Sequence, residues 1–226
     1  MQDNQLSKVL LINKPIEWTS FDVVKKIRSS IKKKYNINKI KVGHAGTLDP
    51  LATGLLLVCT GNKTKIIHNF TNLDKTYTGT LKLGAVTDSF DGETREKNIK
   101  PYDLITRDQI STSFSSFIGE IAQTPPIFSA IKMQGEPLYK KARRGELSID
   151  IKQRKIIIYN LQVLSIDLPF VKFRVTCSKG TYIRTLVNDI GHKLGCGAYL
   201  YALSRDSIGK YKLDHAINIV DIEDFL

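Results

Sequence analysis

The sequence predicts an α+β fold built on a mixed, mostly antiparallel sheet with flanking helices. Strand candidates outnumber helix candidates. Two long ones, RKIIIYNLQVLSID and FVKFRVTCS, meet at Leu168 and Pro169 as a hairpin would. Residues that are 42% apolar supply a real core in a chain of 226. Hairpins argue against a doubly wound parallel sheet, and no low-complexity linker or internal repeat divides the chain. One continuous domain over residues 1–226 is expected, ending in a short acidic tail.

Taken in order, VLLINKP is a short apolar strand stopped by Pro15. Thr19 or Ser20 then caps a helix with Phe21, Val24, Ile27, Ile31 and Tyr35 at helical spacing. Its lysines 32 to 34 suit the negative end of the helix dipole. GLLLVCTG reads as a buried strand and TKIIHNF as a short helix. In TYTGTLKLGA, Tyr77, Leu81 and Leu83 alternate with Thr76, Thr78, Thr80 and Lys82, a strand with two different faces. Thr106 and Gln109 have capping-box spacing before Ile110, Phe114, Phe117 and Ile118, with Gly119 placed to stop that helix. After the long hairpin, Thr181 is expected to cap a helix burying Ile183, Leu186, Val187, Ile190 and Leu194 before Gly195. Arg184 would fall in its first turn, where the dipole disfavours a cation. A phosphate, or a carboxylate such as Asp49, would compensate it; a solvated surface arginine is the plain alternative.

Charge narrows the function. The formal net charge is +12, and residues 1–65 hold 12 Lys or Arg against 4 Asp or Glu. A second basic cluster comprises Lys140, Lys141, Arg143 and Arg144, whereas residues 213–226 carry four acids and no Lys or Arg. Such a field suits a polyanion, although a basic protein can also be merely soluble. No apolar run nears the roughly 18 residues of a membrane span, and the N-terminus lacks the pattern of a secretory signal. A cytoplasmic protein without membrane contact is expected. Cys59, Cys177 and Cys196 are odd in number and far apart, so neither a disulfide framework nor a thiolate metal site is indicated.

The segment GHAGTLDPLATG, Gly43 to Gly54, sets one His and one Asp among three glycines and a proline. It lacks the GxxxxGK[ST] ending of a phosphate-cradling loop. The four histidines (44, 68, 192 and 215) are dispersed without metal-ligand spacing, and no zinc deaminase pattern is present, so no catalytic metal is expected. Glycosidases generally need two carboxyl groups, and this loop offers one. A lone carboxylate suits a nucleophile or base acting on a substrate whose leaving group needs little protonation. Taken alone, Asp49 before Pro50 is equally an ordinary turn carboxylate.

With INKPIEWTS before it and DKTY, TPPIFSAIK, YKKARRGE, CSKGTYIRTL and ALSRDSIG after it, this loop resembles the TruB family of tRNA pseudouridine synthases, in order from about Val9 to Tyr211. The resemblance implies the pseudouridine synthase catalytic fold and isomerisation of uridine 55 in the T arm of tRNA, without a cofactor. The uracil is flipped out of its stack, detached from C1′ of ribose and rejoined through C5. The matching catalytic residue is Asp49, as nucleophile at C1′ or as base at C2′. Arg184 is its implied ion-pair partner, favouring the ionised form. Tyr77 matches the tyrosine that stacks on the flipped base and assists proton removal from C5. His44 matches a histidine that fills the vacated space and contacts RNA. Tyr182 and Leu203 match positions lining the base pocket, while Lys14 and Pro15 match a KP motif that supports the loop. A monomer with no obligate protein partner is expected. Two departures stand out: AYLYALSR replaces the family's AHLxxLRR, putting Tyr199 for the histidine and Ser204 for an arginine, and there is no room for a C-terminal PUA-type RNA-binding module.

Overall fold

A computed structural model describes residues 6–146 and 149–226. In chain order the elements are β1 (Val9–Lys14), α1 (Ser20–Tyr35), β2 (Val42–His44), β3 (Ala52–Thr60), a 3₁₀ turn (Gly61–Ile66), α2 (Ile67–Thr71) and β4 (Lys75–Leu83). There follow α3 (Arg107–Ser115), β5 (Gly119–Gln123), the short pair β6 (Lys132–Met133) and β7 (Glu136–Pro137), α4 (Leu138–Arg143), β8 (Arg154–Asp167) and β9 (Phe170–Cys177). The chain closes with α5 (Ile183–Leu194), β10 (Ala198–Ile208), β11 (Tyr211–Lys212), β12 (Ile217–Asn218) and α6 (Ile222–Phe225). Strand pairing is mostly antiparallel, with β1·β12 and β3·β10 parallel, as the predicted fold class requires. Two compact units are formed, residues 1–78 with 203–226, and residues 79–202, the boundaries falling inside β4 and β10.

In the first unit the strand order is β12-β1-β3-β10, with β2 also on β3. The run GLLLVC is continuous because β3 is covered on both faces. Leu56 and Val58 join Val23, Val24, Ile27 and Ile31 of α1, while Leu55, Leu57 and Cys59 join Ala45, Phe70 and Ile208. Thr19 is the N-cap of α1, and a capping box with Asp22 is complete. Phe21 does not share the buried face as expected; it is 61% exposed, and Val23 takes the inward position. Replacing Thr19 by Ala should lower stability by about 1 kcal/mol in urea unfolding, because the Asp22 amide loses its acceptor. The acidic C-terminal segment packs on this core through its apolar residues. Ile219 and Ile222 are buried, and the Glu223 carboxylate accepts from Lys26 and Ser30.

In the second unit β4, β9, β8 and β5 lie side by side, and the expected β8–β9 hairpin is present. Helix α3 packs on β8 and α5, with Phe114 edge-on to Phe173 at 6.0 Å. Thr106 and Gln109 make the expected capping box. Helix α3 nevertheless ends at Ser115, ahead of Phe117 and Ile118, and Gly119 (φ 109°) opens β5 instead of closing the helix. Thr181 is not the cap of α5 either. Its hydroxyl donates to the Ser178 carbonyl, and Tyr182 occupies the cap position, its peptide bracketed by Gln123 at 2.8 and 3.0 Å. Gly195 ends α5 in the left-handed conformation, as expected. All three cysteines are buried and none is in a disulfide.

Candidate active site

The glycine-rich segment forms the connection between β2 and β3, and Asp49 sits half-buried at its turn. Its neighbour Leu48 is buried and held from both sides of its peptide: the Leu48 N–H donates to Ser20 Oγ at 2.8 Å, and that hydroxyl donates to the Leu48 carbonyl at 3.0 Å. The Ala52 N–H closes the turn on the Asp49 carbonyl at 3.1 Å. Ser20 was read from the sequence only as a possible helix cap; its place at the start of α1 instead pins the loop.

Two fully buried cations hold the loop's backbone. Lys14 ends β1, and its ammonium donates to the carbonyls of Pro15 (2.8 Å), Trp18 (2.6 Å) and Pro50 (3.3 Å). From β10, Arg205 donates to the carbonyls of Leu55 (2.7 Å), Gly46 (3.0 Å) and Thr47 (3.5 Å). The same residue of β3, Gly54, is in register with both. Burying a charge is costly unless its donors are satisfied, and here each cation meets three carbonyls. Burial pushes the Lys14 ammonium down to about 8, the charge of Asp49 acting against that fall and Arg205 adding to it. Burial and Arg205 likewise lower His44, so its neutral imidazole is favoured. The expected support role of Lys14 and Pro15 thus has a geometry, and Arg205, which spacing did not single out, is its counterpart.

His44 pairs with Val58 at the end of β2, its Nδ1 buried without a hydrogen-bond partner. Tyr77 lies on the buried side of β4 at 8% exposure. Leu203, half-buried, is in register with Ala52, and its carbonyl accepts from Thr53. These residues belong to the first unit together with Asp49, Lys14 and Pro15.

Tyr182 and Arg184 belong to the second unit. Arg184 is buried, in the first turn of α5 as expected, and its guanidinium donates to the carbonyls of Ser89 (2.9 Å) and Phe128 (2.8 Å). A carboxylate the sequence did not reveal, Asp91, lies 3.5 Å from its Nε. Nothing in the local pattern FDGETRE distinguishes that residue from an ordinary turn acid. Tyr199, the departure from the family histidine, is buried with its hydroxyl donating to Glu96 at 2.7 Å, and burial and that carboxylate push the phenol pKa up, keeping it protonated. Within the basic cluster Arg143 pairs with Glu93, and Arg144 grips Glu136 and Glu146. Among the described residues no group of three or more His, Cys, Asp or Glu is placed to hold a metal ion, and no helix is long and apolar enough to cross a membrane.

Comparison with known proteins places this architecture. A solved Cbf5-Nop10-Gar1 complex contains a chain that superposes with a TM-score of 0.73 at 30% identity, covering 99% of this chain and 55% of that one. An H/ACA RNP bound to a substrate RNA containing 2′-deoxyuridine gives 0.69 at 28%, covering 99% and 54%. This chain therefore spans about half the length of those solved chains. Residues 32–183 match the family model described as TruB family pseudouridylate synthase (N terminal domain), and residues 184–226 match the tRNA pseudouridylate synthase B C-terminal domain. Proteins called tRNA pseudouridine synthase B from Parabacteroides distasonis and Flavobacterium johnsoniae are each 48% identical, covering 97% of this chain and 93% and 96% of their own lengths. The fold is that of a pseudouridine synthase, an isomerase class. The chain belongs to the TruB family.

Proposed function

We propose that this enzyme converts uridine 55 in the T arm of tRNA to pseudouridine, with Asp49 as the reacting carboxylate. The observation that carries the reading is the Asp49 loop itself: one half-buried acid on a turn whose backbone is tied down by Lys14, Arg205 and Ser20. Such rigidity serves chemistry that depends on placing a carboxylate against a sugar carbon or its neighbouring proton. Uracil leaves as a stabilised anion, so one acid suffices. Atoms are conserved between uridine and pseudouridine, which removes the need for a redox or energy cofactor. Attack at C1′ and proton removal at C2′ both use the ionised form of Asp49.

The target base must leave its stack, at a cost of a few kcal/mol. In this reading Tyr77 stacks on the flipped uracil and assists loss of the C5 proton, Tyr182 and Leu203 line the pocket, and His44 takes the vacated space in the RNA. The net charge of +12 supports polyanion binding. For roughly five phosphate contacts, affinity for a T-arm hairpin should fall about 10²- to 10³-fold between 50 and 200 mM salt, measured by filter binding. The reading itself is tested by treating an unmodified tRNA transcript with the protein, digesting it and locating pseudouridine by mass spectrometry. Modification at position 55 alone supports it; modification elsewhere, or preference for ribosomal RNA, counts against it.

A further inference from the structure

We propose that Arg205 is a positioning residue for the isomerisation, clamping both flanks of the Asp49 turn with one guanidinium; this rests on the function proposed above. Arg205, in the ALSRDSIG motif, is 1% exposed, so its side chain has no surface to offer an RNA phosphate. All its described side-chain hydrogen bonds run to the segment around Asp49: Gly46 and Thr47, three and two residues before it, and Leu55, six residues after it. The planar fork is what permits this. One rigid guanidinium serves three carbonyls in different directions, whereas a lysine ammonium is a compact donor on a flexible stem.

The neighbourhood is shaped around that clamp. Gly54 takes φ 98°, and a Cβ there would lie 2.6 Å from the Arg205 carbonyl oxygen and 2.7 Å from its nitrogen. A side chain at 54 would therefore drive β10 away from β3 at the register position that aims the guanidinium. Gly46, whose carbonyl receives one prong, takes φ 90°, a conformation glycine adopts at little cost. Two of the motif's three glycines, Gly46 and Gly54, thus answer to Arg205. The second cation, Lys14, holds the Pro50 carbonyl beside Asp49, so the carboxylate's position is fixed by backbone anchors on both sides.

The test is Arg205→Lys, which keeps the charge and loses the fork. Three quantities are read: single-turnover release of tritium from a T-arm hairpin carrying 5-tritiated uridine, the Kd of that hairpin, and the melting temperature. The expected result is a release rate at saturating enzyme lowered about 10- to 100-fold, with Kd within about threefold of the parent. An unchanged rate per folded molecule would overturn the proposal and leave Arg205 a purely structural residue. A weakened Kd with an unchanged rate would overturn it in favour of RNA binding. Should the variant fail to fold, hydrogen exchange on the unaltered protein decides. The Ala45 and Ala52 amides, at the two flanks of the Asp49 turn, should exchange as slowly as those of Leu55–Cys59 within β3, and fast exchange through local opening would overturn the clamp. If the parent itself releases no tritium from any RNA, the proposed function fails, while the exchange result still judges the clamp.

Discussion

Replacing Asp49 by Asn lowers tritium release from a T-arm hairpin by at least about 10³-fold and leaves the fold and hairpin binding intact. Asparagine keeps the shape and one carbonyl oxygen and loses the charge, so it is neither a nucleophile nor a base for C1′ or C2′ chemistry. Loss of a group that acts directly on the reacting atoms typically costs 10²- to 10⁴-fold or more. The loop has no reason to move. Its described anchors from Lys14, Arg205 and Ser20 go to backbone carbonyls and the Leu48 amide. A melting temperature near that of the parent and a Kd within about threefold check the first half; single-turnover rates check the second. Substantial activity in the variant would transfer the catalytic role to another residue.

Replacing Lys14 by Met destabilises the protein by about 2–5 kcal/mol, because each buried carbonyl left without its donor costs about 1–3 kcal/mol. Methionine matches the stem and has no donor, stranding the carbonyls of Pro15 and Trp18 and leaving Pro50 only the Glu17 amide at 2.8 Å. The pH dependence carries a further signature. Free lysine holds its proton to about 10.5, whereas Lys14 in the folded chain gives it up near 8. Between those values the unfolded chain binds more protons, so the contribution of Lys14 makes stability rise with pH, by up to about 1.4 kcal/mol per unit. Buried Cys59, raised from 9.0 to about 11, acts in the opposite sense from pH 9 upward. Urea unfolding at pH 8 and 9 should therefore show this slope in the parent and its loss in Lys14→Met.

Where one residue type dictates local geometry, the sequence was enough. The capping box at Thr106, the alternation of β4 and the burial of β3 follow from spacing alone, whereas spacing left the cap of α1 open between Thr19 and Ser20. Errors fell where a tertiary partner outweighed a local preference. Thr181 has the chemistry of a cap, yet Gln123, distant in sequence, brackets Tyr182 and moves the cap one residue on. Phe21 fits the helical period but lies off the face that α1 turns inward, and small Ser20 is placed to meet Leu48.

The site shows the same division. The motif series directed attention to Asp49, His44, Tyr77 and Arg184 because those side chains bear recognisable chemistry. Arg205 and Asp91 escaped because their roles arise from pairing at long range: Arg205 through its register with Gly54, Asp91 through its approach to Arg184. The polar residues around Arg205 in β10, Ser204, Asp206 and Ser207, give no local hint that its side chain is buried.

The most direct test of the central claim is the stoichiometry of tritium release from a T-arm hairpin labelled at C5 of uridine 55, with EDTA present and no cofactor added. Joining C5 to ribose must expel that tritium. One equivalent per hairpin, with none from a hairpin labelled only at other uridines, is the predicted result. Tight binding of the labelled hairpin with no release, from it or from full-length tRNA, would contradict the account and leave an RNA-binding protein without this activity.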